Sequence, residues 1–215
     1  MARKILLSGA AGFGSFASKI SGMLETTTLA CERGGARLFS GLSFSLAPGG
    51  LLRVRGANGS GKTTLLRTLA GLTRPAAGEV RSNGMAHLFI GHSAGVKDEL
   101  TVLENLEFSA RLSGLREPGC EKALEQLGIA RLAGLPARYL SQGQRRRVAL
   151  ARLALSASIP LWLLDEPFAA LDNAGIAQVS ALCSAHLAGG GILVLTSHQD
   201  VAIASATMQS IELQG

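Results

Sequence analysis

The stretch of residues 56–64, which reads GANGSGKTT, decides the fold of this chain. It matches the pattern G-x-x-x-x-G-K-[ST], in which glycines let the backbone bend so that successive N–H groups point toward a bound polyphosphate. The pattern predicts that Lys62 reaches the β- and γ-phosphates, and that the Thr63 hydroxyl ligates the Mg²⁺ that accompanies a nucleotide. The predicted phosphate-binding residues are Gly56, Ala57, Asn58, Gly59, Ser60, Gly61, Lys62, Thr63 and Thr64.

Residues on both sides of this stretch fit a phosphate loop that lies between a strand and a helix. Residues 51–55 (LLRVR) predict a short buried strand, and residues 64–70 (TLLRTLA) predict a helix. The positive N-terminal end of such a helix favours a bound anion. Strand, loop and helix together predict a site for a nucleoside triphosphate.

Two further strands end in residues that can carry chemistry. Residues 159–164 (IPLWLL) form a continuous apolar run followed by Asp165 and Glu166, which is typical of a buried parallel strand that delivers two carboxylates at its C-terminal end. Residues 192–196 (ILVLT) predict another strand, and His198 follows it. Strands that alternate with helices imply an α/β domain with a parallel, covered sheet.

Two more strands, at about residues 26–33 and 38–46, precede the phosphate loop. Apolar and polar residues alternate in the second of them, which is the pattern of a half-buried strand, and the pair predicts an antiparallel leaf. Further along the chain, Asn83 and Gly84 predict a hairpin turn whose second strand covers residues 86–90.

Residues from about 93 to 140 look like an inserted helical subdomain. Thr101 and Glu104 form a capping-box pattern that opens one helix. Another helix is predicted after Pro118.

A second capping-box pattern, SQGQ at residues 141–144, opens a helix that runs to about residue 155. The free N–H groups at its start and the close approach that Gly143 permits would let this helix end hold an anion. Each such feature also has a simpler structural explanation when it is taken alone. Ser141 can be an ordinary helix cap, the paired acids can be solvated, and His198 can be a hydrogen-bonded core residue.

Composition limits the possible functions. The net charge is +6, but Arg3, Lys4 and Lys19 supply three of these charges, and aromatic residues make up only 4%, so no nucleic-acid surface is predicted. No run reaches the roughly 18 uncharged apolar residues that span a bilayer, so a membrane role would have to come through another chain. Three widely spaced cysteines predict reduced, structural thiols in a cytosolic protein.

Residues 1–22 contain no acidic residue and precede a second methionine, Met23. We interpret them as a disordered tail or as the product of a start codon upstream of the true one. A targeting or amphipathic segment is the less favoured alternative, because the segment lacks a continuous apolar core. The main domain is predicted over residues 23–215.

Taken together and at these intervals, the motifs resemble the nucleotide-binding domain of ATP-binding cassette (ABC) ATPases. Residues 140–144 (LSQGQ) look like the LSGGQ signature of that family, with Gln142 replacing one glycine. Residues 161–167 (LWLLDEP) look like its Walker B strand, residues 170–172 (ALD) like its D-loop, and His198 like its switch histidine. The resemblance extends from about residue 24 to the end of the chain.

The resemblance implies a P-loop NTPase fold with an antiparallel β subdomain and an inserted helical subdomain. It also implies that two copies enclose two ATP molecules. Asp165 would hold Mg²⁺, Glu166 would orient and deprotonate the attacking water, and His198 would contact the γ-phosphate. Asp172 would belong to the D-loop. Each phosphate loop would face the signature residues of the second copy, which are Ser141, Gln142, Gly143 and Gln144.

Two positions depart from the family pattern. Arg33 stands near the place where most members have an aromatic residue that stacks on adenine. Since a guanidinium can also stack on a base, Arg33 is kept as a predicted adenine contact. His92 stands at the Q-loop position, where a glutamine is usual.

These two departures restrict the resemblance to fewer members of the family. Residues 31–34 (CERG), 38–44 (LFSGLSF), 91–97 (GHSAGVK) and 140–147 (LSQGQRRR) are similar to the ATP-binding subunit of the cytochrome c maturation haem exporter. That similarity implies a peripheral ATPase on the cytoplasmic face of the inner membrane, paired with an integral membrane subunit. ATP hydrolysis would drive release of a haem-loaded chaperone. No C-x-x-C-H motif occurs, so haem is not expected to bind this chain directly.

Three alternatives stay open from the sequence. The chain could be the ATPase subunit of another small-substrate ABC exporter, or a soluble ABC ATPase that acts outside transport. A non-catalytic ATP-gated clamp is disfavoured, because Lys62, Asp165, Glu166 and His198 are all intact.

Overall fold

The computed structural model describes residues 6–8, 23–114 and 119–214. Of residues 1–22, which we interpret as a tail or an upstream-start product, only 6–8 are among the described residues, and they form a strand. The described strands are β1 (Leu6–Ser8), β2 (Leu24–Arg33), β3 (Ala36–Leu46), β4 (Gly50–Gly56), β5 (Ala77–Arg81), β6 (His87–Ile90), β7 (Leu161–Asp165), β8 (Ile192–Thr196) and β9 (Thr207–Leu213). The described α-helices are α1 (Lys62–Leu69), α2 (Val102–Leu112), α3 (Cys120–Gln126), α4 (Gln142–Leu155) and α5 (Asn173–Ala188).

The larger sheet has the strand order β1-β9-β4-β8-β7-β6. Strands β9, β4, β8, β7 and β6 are parallel, and β1 pairs antiparallel with β9. Every residue of β7 and β8 is buried, which explains why both strands are continuous apolar runs in the sequence. The predicted α/β fold with a covered parallel sheet is confirmed.

The smaller sheet is antiparallel, with the order β3-β2-β5. Its β2–β3 hairpin turns at Gly34 and Gly35, both with positive φ, as the sequence predicts. The predicted hairpin around Asn83 and Gly84 is wrong. Both residues do have positive φ, but the turn carries the chain from β5, which pairs with β2, to β6, which pairs with β7 in the other sheet.

Helices α2 and α3, which follow β6, pack on α4. The predicted capping box is present at the start of α2, where Thr101 Oγ1 accepts from Glu104 N at 3.2 Å and Glu104 Oε2 accepts from Thr101 N at 2.8 Å. The helix predicted after Pro118 is α3, and short 3₁₀ turns follow at Ala130–Leu132 and Ala137–Tyr139. The limits of about 93 and 140 for this subdomain stay a prediction.

The larger sheet separates two apolar cores. On one face, Leu52 and Val54 of β4 pack with α1 and the smaller sheet. On the other face, Leu51 packs with the helices that cover the sheet, among them α4 and α5. Burying a side chain of this size contributes about 1.5–3 kcal/mol, so the position of β4 between both cores fixes where the phosphate loop begins.

The three cysteines are buried and free, in agreement with the prediction of structural thiols. Burial raises the pKa of the Cys183 thiol to about 12, so this thiol stays protonated at neutral pH. Among the described helices, none combines the length and the apolar character needed to cross a membrane.

Candidate active site

The phosphate loop connects β4 to α1, and its glycines are required by its shape. Gly56 has φ 143°, and a Cβ there would lie 2.4 Å from the Leu213 carbonyl oxygen of β9. Gly61 has φ 102°, and a Cβ there would lie 3.0 Å from Leu38 Cβ of β3. The loop is therefore held between both sheets in a conformation that disfavours other residues.

Lys62 is buried and folds back over the loop. Its Nζ donates to the carbonyl oxygens of Gly56 at 2.8 Å and Ala57 at 3.2 Å, and lies 3.3 Å from His198 Nε2. The ammonium thus lies between the phosphate loop and the end of β8. A cation at this point can bind the terminal phosphates of a nucleotide.

Asp165 lies at the carboxyl end of β7 and is 1% exposed. Its Oδ2 accepts from Thr63 Oγ1 at 2.7 Å, and its Oδ1 accepts from Thr196 Oγ1 of β8 at 2.8 Å. A carboxylate beside a hydroxyl is the kind of hard oxygen donor set that Mg²⁺ binds together with phosphate oxygens. The residues present therefore fit the ion that the phosphate loop implies.

Glu166 follows β7 in a left-handed conformation, with φ 51°. Its N–H donates to Thr196 Oγ1 at 2.8 Å, which holds the backbone in this uncommon region. Its Oε1 is buried and accepts no hydrogen bond among the described residues, and its ion-pair contact is with His198 Nε2 at 3.3 Å. A buried carboxylate oxygen that accepts no hydrogen bond is costly, so its presence beside the phosphate loop suits a base that binds water.

These residues surround one cavity of about 400 Å³. It also reaches Leu38 and Ala169, for which the sequence suggested no role. Gly56, Ala57 and Ser60 shape the loop without lining the cavity. The predicted residues that line it are Arg33, Asn58, Gly59, Gly61, Lys62, Thr63, Thr64, His92, Asp165, Glu166 and His198.

The signature residues start α4 and lie outside this cavity in the described part of the chain. Ser141 Oγ accepts from Gln144 N at 3.2 Å, and Gln144 Oε1 accepts from Ser141 N at 2.9 Å, which confirms the capping box. Gln142 lines a second cavity of about 420 Å³, which adjoins the first at His92 and Ala169. A Cβ on Gly143 would lie 2.5 Å from the Ala170 carbonyl oxygen, so glycine permits the contact between α4 and the D-loop.

Asp172, predicted as the D-loop residue, caps α5. Its Oδ1 accepts from Gly175 N at 2.8 Å and pairs with Arg147. The hydrogen bond from the Gly175 backbone lowers the pKa of Asp172, and the charge of Arg147 lowers it further. Within one chain, Asp172 therefore orders the turn that follows β7.

Arg146 is a residue of the site that the sequence reasoning missed. Its guanidinium is buried and donates to the carbonyl oxygens of Gly91 at 2.7 Å, Asp165 at 2.6 Å and Glu166 at 2.9 Å. Burial lowers the pKa of Arg146, while the charges of Asp165 and Glu166 act in the opposite direction. Helical spacing could have revealed it, because Arg146 lies four residues before the buried Leu150 and so shares its face of α4.

Comparison with known proteins agrees with this geometry. The profile of the ABC transporter family matches residues 39–169, more than half of the chain. The chain is 47% identical over 203 residues to the "Cytochrome c biogenesis ATP-binding export protein CcmA" of Nitrosospira multiformis, covering 88% of this chain and 98% of that protein. It is 46% identical over 203 residues to the protein of the same name from Escherichia coli K12, covering 89% and 97%.

Solved structures show the same fold. A structure titled as the ATP binding subunit of an ABC transporter superposes with TM-score 0.73 at 24% identity, covering 82% of this chain and 79% of that chain. An inward-facing transporter of metal-chelate type superposes with TM-score 0.71 at 30% identity, covering 86% and 78%. The chain therefore belongs to the ABC transporter family of ATPases.

Proposed function

We propose that this chain is the ATP-hydrolysing subunit of a membrane ABC complex that exports haem for cytochrome c maturation. The names of its relatives, at 47% and 46% identity over nearly their whole length, support the biological role. The observation that carries the hydrolytic role is the buried Glu166 Oε1, which accepts no hydrogen bond among the described residues and contacts His198 Nε2 at 3.3 Å beside the phosphate loop. ATP hydrolysis would drive release of the haem-loaded chaperone from the complex.

The residues of the cavity divide the chemistry among them. The loop N–H groups and Lys62 bind the phosphates, and Thr63 with Asp165 would hold Mg²⁺, which neutralises charge on the phosphate oxygens. Glu166 Oε1 takes a proton from the attacking water. As it does so, the water oxygen bonds to the γ-phosphorus, and the bond between the γ-phosphorus and the ADP oxygen breaks. His198 contacts the γ-phosphate.

Arg33 and His92 lie in the same cavity as the phosphate loop. Arg33 is the proposed adenine contact, because its position at the end of β2 lets the guanidinium stack on a base. His92 is the proposed counterpart of the Q-loop residue. It is linked to the catalytic strand through Arg146, whose Nη1 also lies 3.3 Å from the His92 carbonyl oxygen.

The complex would contain two copies of this chain and an integral membrane subunit at the cytoplasmic face of the inner membrane. The supporting observation is that Ser141 does not line the phosphate cavity, which leaves room for the signature helix of a second copy to face the bound phosphates. Neither nucleic acid nor directly bound haem is part of this proposal.

A pull-down from gently solubilised membranes tests the proposal. The tagged Glu166→Gln variant with ATP should retain a small polytopic membrane protein together with a haem-handling protein, because the closed state persists without hydrolysis. A tagged Lys62→Ala variant, which loses a phosphate contact, serves as the control. Recovery of a different permease would contradict haem export, and recovery of soluble proteins alone would contradict the membrane complex.

A further inference from the structure

The segment that carries His198 is tied down on both sides. On its N-terminal side, Thr196 binds Asp165 and Glu166 as described above. On its C-terminal side, Asp200 Oδ1 accepts from Arg53 Nη1 at 3.0 Å, and the Val201 carbonyl oxygen accepts from Arg53 Nη2 at 2.6 Å. Arg53 thus binds both a side chain and the backbone of this segment.

Arg53 is an unusual residue for its place in the fold. It lies in the middle of β4, between the buried Leu52 and Val54, and its own side chain is only 9% exposed. A buried charge is costly unless it is paired and hydrogen-bonded. Because Asp200 and Val201 offset this cost, the folded protein favours keeping both against the guanidinium, although Asp200 itself is 75% exposed.

The same strand leads directly into the phosphate loop. Arg53 lies three residues before Gly56, whose carbonyl oxygen accepts from Lys62, and Arg55 pairs with Asp200 as well. One strand therefore sets the position of the phosphate loop and of the segment after His198. Between these two anchors, His198 Nε2 lies 3.3 Å from Lys62 Nζ and 3.3 Å from Glu166 Oε1.

We propose that Arg53, through Asp200, is a positioning residue that holds His198 beside Lys62 and Glu166 for ATP hydrolysis. The inference rests on the proposed function, since it assigns Arg53 a role in that reaction. His198 itself is 56% exposed, so its contacts with the cavity do not restrain it as packing would. The contacts of Arg53 with Asp200 and Val201, which together form a charged clamp on this segment, supply the restraint instead.

The Asp200→Ala variant removes the carboxylate contact of Arg53, while the Val201 carbonyl oxygen can still accept from its guanidinium. We expect kcat for ATP to fall by about tenfold while KM changes by less than about twofold, since the phosphate loop stays intact. Asp200→Glu should restore most of kcat. Glu79→Ala, which removes the acid of the exposed Glu79–Arg81 pair, should behave like the wild type.

Two further readouts separate positioning from a general loss of stability. In a His198→Ala background, Asp200→Ala should cause no additional loss of kcat, because the residue that it positions is gone. Amide hydrogen exchange over residues 198–203 should become faster in Asp200→Ala and stay unchanged in Glu79→Ala. Full additivity with His198→Ala, or unchanged exchange, would overturn the inference.

The experiments distinguish failure of the proposed function from failure of this inference alone. If the wild type and Glu166→Gln hydrolyse ATP equally, the proposed function fails and this inference fails with it. If they differ but Asp200→Ala hydrolyses ATP like the wild type, only the inference is overturned.

Discussion

At the scale of single residues, Arg146 connects the parts of the site most directly. Its guanidinium donates to backbone carbonyl oxygens at the ends of β6 and β7, while the residue itself belongs to α4. A planar fork of donors can serve several acceptors at once, which an ammonium group cannot do in the same geometry. Arg146 therefore holds the strand ends that carry His92 and Glu166.

We expect Arg146→Lys to lower the free energy of unfolding by about 2–4 kcal/mol, because buried carbonyl groups lose their donors. Urea unfolding measures this change. ATP turnover should fall as well, since the backbone of Glu166 loses a contact.

Arg145→Lys is the matched control, because it changes the neighbouring arginine of the same helix. Arg145 pairs with the more exposed Asp98, and its substitution should cost less than about 1 kcal/mol. Equal losses of unfolding free energy in the two variants would show that the carbonyl contacts of Arg146 contribute no more to stability than the pair of Arg145 with Asp98.

At the scale of elements, α5 and β7 meet through a stacked pair of rings. The His186 and Trp162 rings are nearly parallel, at 5°, with centroids 3.9 Å apart, and His186 Nε2 lies 3.2 Å from the Ile192 carbonyl oxygen. Burial lowers the pKa of His186, so the neutral ring is the form that packs here. A Cβ on Gly191 would lie 2.2 Å from this ring, so glycine leaves the space for it.

This pair predicts a pH dependence of stability. Because the pKa of His186 is lower in the folded protein than its unfolded value of about 6.5, the unfolded state binds the proton more readily. The stabilising contribution is present above that unfolded value and is lost as pH falls through the folded pKa. His186→Gln removes the titrating group, so its free energy of unfolding should fall less than that of the wild type over this range.

Chemical unfolding at a series of pH values measures this difference. His87→Gln, at an exposed position of β6, is the control and should follow the wild type. Parallel curves for the wild type and His186→Gln would contradict the prediction.

At the scale of the whole molecule, the phosphate cavity and the signature helix lie on different parts of one chain. Ser141 caps α4, while the cavity is lined by the phosphate loop, the start of α1 and residues at or after the ends of β7 and β8. An anion at the start of α4 would gain both free N–H groups and the favourable end of the helix dipole. In the proposed dimer, two copies in opposite orientation would bring each helix start to the phosphates bound by the other copy.

We expect Glu166→Gln to bind ATP without turnover and to form a dimer with ATP and Mg²⁺, because the amide keeps the shape of the side chain but cannot accept the proton. Light scattering after size exclusion measures the mass, and it should show a monomer without nucleotide. Adding Ser141→Arg, which fills the helix start with a bulky cation, should abolish the dimer. A monomer under all conditions would contradict the proposed dimer.

The sequence by itself determined the features that depend on local pattern. The bend of the phosphate loop follows from its glycines, and the capping box at Ser141 follows from residues three apart. Strands β7 and β8 were predictable because full burial makes them continuous apolar runs. The acids at the carboxyl end of β7 and the histidine after β8 could therefore be placed at one edge of a parallel sheet.

Only the tertiary structure decided which distant groups meet. The turn at Asn83 was predictable from the sequence. The pairing of β5 and β6 with strands of different sheets, however, depends on strands far away in the chain. Strand β9 and the partners of Arg146 and Arg53 likewise have no local signature. A hydrogen bond between residues far apart in sequence forms where packing brings its atoms together, and no short pattern encodes that position.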